Sequence, residues 1–258
     1  MTVLGTRRAM RVVERNSRVY ARSWMVFLAT FAEPFLLLFS LGVGLGGLVG
    51  TVPGPNGTEI DYQQFVAPAL IAIAAMQGTL LETTFQFYFK YKYAGTYDGM
   101  MVTPLGVPDI VRGELAWAVI RSTVGTAAFF LVVWAMGLSP SPWGVLAVPA
   151  SVLVAFGFGG AGLGLTTYMR SFMDFDYVNV AIVPLFLFSG TFFPVDEYPP
   201  VLGWIVRISP LYQGVALERA LLLGAVTPVI VLQGAYLVAM GAAGMRIASR
   251  RLRPMLQP

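Results

Sequence analysis

Cysteine and histidine are both absent from the sequence. Their absence excludes a disulfide framework, thiolate or imidazole zinc sites, and every Ser-His or Cys-His nucleophile arrangement. Any chemistry would have to rest on carboxylates, lysine or tyrosine. Charge is scarce too: Asp, Glu, Lys and Arg make up 12% of the 258 residues, against roughly 25% in an ordinary soluble domain. A soluble fold of this length would need a more charged surface, and the 57% hydrophobic content points instead to a bilayer as solvent. No Gly-x-x-x-x-Gly-Lys-Ser/Thr phosphate loop occurs, so the chain has no visible means of binding ATP. The formal charge of +4 sits beside apolar runs and not on a compact basic domain, so no nucleic-acid partner is expected.

A membrane helix needs about 20 mainly apolar residues. Six stretches qualify: Ser23 to Val49, Phe65 to Phe89, Gly113 to Leu138, Trp143 to Met169, Tyr177 to Val195 and Val226 to Ile247. Turn-forming Pro53 to Gly57, Pro140 with Pro142, and Pro194 with Pro199 and Pro200 separate them. The reading is an all-α integral membrane protein with one permease-like domain. Residues 1–22 form an amphipathic interfacial helix, 23–247 the six-helix domain and 248–258 a basic tail. Lys and Arg bias sets the orientation. Arg7, Arg8, Arg11, Arg15, Arg18, Arg22, Lys90, Lys92, Arg112, Arg170, Arg246, Arg250, Arg251 and Arg253 fall on one side, leaving Arg207 and Arg219 opposite. Both termini are then cytoplasmic, and no cleaved targeting segment is expected.

Arg7, Arg11, Arg15, Arg18 and Arg22 recur at helical spacing while Met10, Val12, Val13, Val19 and Tyr20 fall elsewhere on the wheel. That pattern fits a helix lying at the membrane surface or a solvated basic tail. The mixture of prolines and apolar residues from Asp196 to Ala225 fits two short helices dipping back into the membrane or a hairpin on the headgroups.

Gly42-Val-Gly-Leu-Gly46-Gly47 and Gly157-Phe-Gly-Gly160-Ala-Gly162 match a dinucleotide-binding expression without its strand and helix context. Small residues four apart, Gly42 with Gly46 and Gly160 with Gly164, suit close helix approach instead. Asp174 and Asp176 could be half of a transferase metal site or a helix cap. Asn56-Gly57-Thr58 is a glycosylation sequon. Between the second and third spans lies a loop carrying Tyr91, Tyr93, Thr96, Tyr97, Asp98, Met100 and Met101. Its aromatic and methionine side chains could fill a partner's groove.

Five blocks, in order, carry a family resemblance: Phe31 to Gly46, Tyr62 to Pro68, Phe175 to Tyr177, Phe186 to Pro194 and Pro210 to Gly214. The chain resembles the type-2 ABC transporter permeases, notably the branch exporting nodulation lipo-oligosaccharides. The resemblance implies a multi-pass subunit of a bacterial plasma-membrane exporter, paired with a second permease copy and docked on a cytoplasmic ATPase that binds ATP and magnesium. It makes Tyr91 to Thr103 the coupling helix. It makes the stretch from Asp196 to Leu223 an outer gate, with Phe192, Phe193, Pro194, Trp204, Pro210 and Tyr212 around it. Substrates would be lipid-linked glycans, lipo-oligosaccharides or hydrophobic drugs, with membrane lipid in contact and no cofactor on this chain. Two other classes stay open: an ion-coupled secondary transporter using Glu33 and Glu82, and a membrane-embedded transferase at Asp174 and Asp176.

Three charges fall inside the spans. At a rise of about 1.5 Å per residue, Glu33 lies about 15 Å, Arg121 about 12 Å and Glu82 about 10 Å from the inner ends of their helices. Charges sharing one depth should meet, so Arg121 is expected to pair with Glu33 or Glu82, or else to snorkel alone.

Overall fold

The structure, a computed structural model, describes residues 3–21, 24–54 and 57–256. Arg22, Ser23 and the sequon's Asn56 therefore lie outside the described residues. Helix α1 (Val3–Tyr20) exposes Arg7, Arg8, Arg11, Arg15 and Arg18 and buries Ala9, Val12, Val13 and Asn16 at three- and four-residue spacing. That stripe is covered by the protein itself. It packs on the helix Val107–Ala135, where a Cβ at Gly113 would come within 2.5 Å of Val12 Cβ. Met10 and Val19 stay exposed.

Helix α2 (Trp24–Phe39) passes through a π-helical stretch, Ser40–Leu45, into α3 (Gly46–Val49). Strands β1 (Thr51–Pro53) and β2 (Glu59–Asp61) then form an antiparallel hairpin with Val52 opposite Ile60. The centre of the bundle is α4 (Tyr62–Leu81), extended by a π-helical turn (Glu82–Gln86) into α5 (Phe87–Lys92). From Phe65 to Met76 nearly every side chain of α4 is buried. Gly95, with φ of 56°, turns the chain into the short α6 (Thr96–Met101), and α7 (Val107–Ala135) returns antiparallel to α4.

Helices α8 (Ala147–Thr166), α9 (Phe175–Leu187), α10 (Pro200–Ile208), α11 (Pro210–Leu223) and α12 (Val229–Leu256) complete the described fold. α8 and α12 cross on glycine. A Cβ at Gly160 would lie 2.2 Å from the Gly241 carbonyl oxygen, and one at Gly164 would lie 3.0 Å from that of Gly244. Backbones can approach this closely only where side chains are missing.

Among the described residues five stretches are long and apolar enough to cross a membrane: Ala32–Val49, Tyr62–Lys92, Val107–Ala135, Pro142–Thr166 and Val229–Leu256. The fifth expected span is the exception. Its helix ends at Leu187 and not at Val195, because the chain turns at Ser189-Gly190, where Gly190 adopts φ of 69°. Thirteen residues give about 20 Å of helix, less than the roughly 30 Å of hydrocarbon. The last helix is longer than expected. Residues 248–256, read from sequence as a tail, continue α12 and bury Leu252 and Leu256 near Tyr97 and Met100.

Candidate functional site

Glu114 and Arg121 stand seven residues apart on α7, two turns along one face. Glu82 and Lys90 stand eight apart on the α4–α5 rod, with the order of signs reversed relative to the antiparallel partner helix. The two helices therefore match acid to base twice. Arg121 forms a buried ion pair with Glu82, and Lys90 Nζ lies 2.7 Å from Glu114 Oε2. Helix α1 closes the ladder. The Tyr20 hydroxyl donates to Glu82 Oε2 at 3.1 Å, the Arg121 guanidinium lies 5.1 Å from the Tyr20 ring centre, and Lys90 reaches Asn16 Oδ1 at 3.5 Å. Burial, and then the Glu82 charge, hold the Tyr20 phenol above its ordinary range.

Two acids and two bases cancel within this buried ladder, as burial of charge requires. Glu82 opens the π-helical turn, an irregularity that is frequent at functional positions. Thr83 and Thr84 donate back to the carbonyls of Thr79 and Leu80 at 2.8 and 2.5 Å beside it. Of this constellation the sequence suggests a pairing for Glu82 and Arg121; it marks Lys90 only as an orienting charge and Tyr20 only as part of the N-terminal helix, and it gives no role to Glu114 or Asn16. The available signal is the spacing of eight and seven with the acid first on both segments, an order that matches acid to base when the two run antiparallel.

Helix α6 is joined to the ladder from below. Tyr97 is 0% exposed, stacks against Phe87 at 5.1 Å between centroids, and lies beside Glu114. Burial first and the Glu114 charge second push its phenol well above the ordinary range. Met100 is buried as well, while Tyr91, Thr96 and Met101 are half-buried. The expected partner-facing surface is therefore narrowed: Tyr97 and Met100 anchor α6 to the bundle, and Asp98 on α6 with Tyr93 and Val102 in its flanks, the last 88% exposed, are what this segment presents outward.

Glu33 takes no part in the ladder. It is exposed, accepts a long contact from Gln77 Nε2 at 3.4 Å, and borders a cavity of about 590 Å³ shared by α2, α4 and α9 with Asn179 opposite. A second, more apolar cavity of about 660 Å³ separates α9 from α8 and has Tyr168, Arg170 and Tyr177 at its mouth. α9 is thus flanked by space on two sides, with Tyr177, Val180 and Val183 exposed.

At the end of the bundle opposite α6, Phe192 packs edge-on against Phe186 at 5.0 Å, and its carbonyl oxygen faces the Tyr62 hydroxyl at 3.5 Å. Ser189 and Thr191 share a buried hydroxyl contact of 2.6 Å. Tyr212 lies close over Gly190, and Pro210 begins α11 beside the larger cavity. Phe193 and Trp204 are exposed and Pro194 is half-buried. Arg219 fastens these parts, its Nη2 donating to the carbonyls of Phe65 at 3.1 Å and Gly190 at 2.9 Å.

Asp174 is a cap. Its Oδ2 accepts from the backbone N–H groups of Arg170 and Ser171 at 2.7 and 3.2 Å, which hold the carboxyl below the usual carboxylate range.

A bundle of apolar helices thus carries a neutralised charge ladder with a short anchored helix beneath it. The model of the ABC-2 type transporter family matches residues 8–223. The chain belongs to the ABC-2 type transporter family. It is similar to Nodulation protein J of Rhizobium leguminosarum bv. trifolii, 33% identical over 198 residues that cover 76% of this chain and 74% of the relative. Against Nodulation protein J of Rhizobium leguminosarum bv. viciae the identity is 31% over 217 residues, 83% of this chain and 82% of the relative. The probable multidrug ABC transporter permease YbhR of Escherichia coli is 28% identical over 62% of this chain and 46% of its own length. The ABC-2 permease is thus a multi-pass membrane transport subunit of an ABC transporter, and the family implies an ATPase partner.

Proposed function

We propose that this permease moves an amphiphile outward by alternating access, in the plasma membrane, as one of a pair of six-span subunits each driven by a separate cytoplasmic ATPase that binds ATP and magnesium. The observation that carries the reading is the ladder itself. Tyr20, Glu82, Lys90, Glu114 and Arg121 tie α1, the α4–α5 rod and α7 into one body, and Tyr97, packed against Phe87 beside Glu114, joins α6 to it. A push on α6 would then move spans and would not merely bend a loop. The bias of the basic residues supports a reading with α6 and both termini on the cytoplasmic side and α1 at the inner headgroups.

Helix α9, fifth in chain order, is counted as a span in this reading, with the segment after Leu187 reaching the outer surface. The exposed apolar side chains of α2 (Phe35, Leu36) and α9 (Val180, Val183) suit a second permease copy. The Glu33 cavity between those helices then faces the translocation path. Lipo-oligosaccharide, lipid-linked glycan or hydrophobic drug all fit a path with apolar walls and few polar groups, and residues 188–212 with α10 and α11 close it outside. A secondary transporter reading now rests on Glu33 alone, since Glu82 is committed to Arg121 and Tyr20.

The test uses the outward face of α6. In membranes containing the ATPase partner, Asp98→Ala combined with Val102→Asp should leave insertion and folded yield unchanged but reduce ATPase co-purification and ATP-dependent transport at least tenfold. Full transport in that variant removes α6 from the mechanism, and transport that persists without ATP favours the ion-coupled reading.

A further inference from the structure

Glu218 is a buried acid that neither the ladder nor the outer contacts use. It sits in the middle of α11, is 0% exposed, and neither carboxylate oxygen has a hydrogen-bond partner among the described residues. One turn earlier Gly214 lets α11 approach closely: a Cβ there would meet Val154 of α8 at 3.0 Å and Ala72 of α4 at 3.7 Å. Leu211, Val215 and Leu222, all fully buried, complete that part of the helix.

Among the described residues no cation is placed to pair with it. Between Tyr62 and Leu81 α4 carries one titratable residue, Tyr62, which faces Phe192; α8 and the turn Pro142–Leu146 that leads into it carry none. On α10, Arg207 is paired with Asp196 at 2.7 Å. On α12, Tyr236 donates to the Ile208 carbonyl, and Arg246, Arg250, Arg251 and Arg253 lie at the end remote from α11. Within α11, Tyr212 lies over Gly190, and Arg219 turns away to bond two backbone carbonyls with its guanidinium 3.9 Å from the Phe65 ring centre. Burial alone bears on the ionisation of Glu218. A carboxyl deprived of water, cation and hydrogen-bond donor takes up a proton instead of staying charged.

We propose that Glu218 is a proton-binding site: it is held as the neutral acid in this closed conformation and gives its proton to water when α11 separates from α4 and α8. The step is a simple exchange. The O–H bond of the carboxylic acid breaks, a hydronium ion forms on the outer side, and the carboxylate gains the hydration it lacked. Opening of the outer end is then favoured by alkaline conditions outside and opposed by acid. The release half of this inference rests on the exporter reading above; the resting protonation does not.

The experiment takes the complete permease with its ATPase partner in lipid nanodiscs. Infrared difference spectra of the wild type against E218Q at neutral pH should contain one neutral-acid carbonyl band that E218Q lacks. Its absence overturns the proposal. Because glutamine mimics the neutral acid, E218Q should fold as well as the wild type. The wild type should lose thermal stability relative to E218Q as pH rises from about 5 to about 9, since the folded state binds the proton more tightly than the unfolded one. A pH-independent difference overturns it likewise. Trapping the ATP-bound state with vanadate should remove the band, and a band that survives a trap verified by occluded nucleotide overturns release on opening. Failure of the trapping arm with the resting band intact points to the exporter reading, whereas loss of the resting band points to Glu218.

Discussion

At the α6 end of the bundle four buried charges cancel in two ion pairs, whereas at the opposite end Glu218 has no hydrogen-bond partner among the described residues and Arg219 directs its Nη2 donors to the carbonyls of Phe65 and Gly190. Both ends are apolar and helical, so the difference lies in what each must do. Paired charges fix the relative placement of the elements that bear them, because separation strands two ions at once. A neutral acid and an arginine on main-chain oxygens hold their surroundings less tightly. The α6 end is built to move as a body and the opposite end to come apart.

The largest expected effect tests the rigid end. Arg121→Gln leaves Glu82 buried beside the Tyr20 hydroxyl alone and should cost about 3–5 kcal/mol of stability, read as lost folded yield and a lowered denaturant midpoint. Glu82→Gln in the same chain should restore much of that loss. The Lys90 and Glu114 pair should behave alike with Lys90→Met and Glu114→Gln. If both cycles prove additive, the ladder does not hold the elements together and the contrast between the ends fails. A smaller loss, about 1–3 kcal/mol, is expected for Arg219→Gln, which leaves two carbonyls of the outer assembly without their donor. Arg219→Lys should recover part of it, and a loss as large as that of Arg121→Gln would mean the opposite end is equally rigid.

How much of this was legible in the sequence depends on which coordinate of a residue is asked for. Axial depth follows from counting, and it brought Arg121 and Glu82 to one level correctly. Azimuth does not follow, so Glu33 shared their depth yet faces a cavity on the other side of α4. Lys90 was read as the basic end of a span and Glu114 was passed over, although their separations from Glu82 and Arg121 encode the same antiparallel match. Tyr97 and Met100 were expected to face a partner because composition gives no direction for a six-residue helix; the inward side was decided by Phe87, Val12 and Leu252, which come from three other elements. Gly160 and Gly164 were read as a close-approach pair. Gly241 and Gly244, which receive them, are spaced by three and were hidden in an ordinary apolar run. The fifth span was overlong because Ser189 to Val195 is as apolar as a helix, and only Gly190's backbone conformation ends it.

Glu33→Gln should change stability by no more than about 0.5 kcal/mol, as befits an exposed residue with one long contact. Combined with Arg121→Gln, its effect should be additive, since the two groups share no partner. Transport is where it should register. If Glu33 faces the path between two copies, substitution alters the rate or the choice of substrate in vesicles while ATPase co-purification stays constant. An unchanged substrate profile would assign the cavity to packing alone.

The smallest expected effect belongs to Asp174, a half-buried surface charge at the α6 end that, like Arg219 at the other, bonds to backbone. Its carboxylate accepts from the N–H groups of Arg170 and Ser171, and those bonds hold its acidity below the usual carboxylate range. A group whose folded pKa is depressed contributes stability above the unfolded pKa and loses it as pH falls through the folded one. The wild type should therefore exceed Asp174→Asn in melting temperature at neutral pH, slightly, because asparagine still caps. The gap should close as the pH drops below the ordinary carboxylate range, while the Arg121→Gln deficit remains large wherever Glu82 is ionised. A gap for Asp174→Asn that does not vary with pH would mean that shape, not charge, makes this cap. The α6 end would then owe its rigidity to the buried ladder without help from its surface.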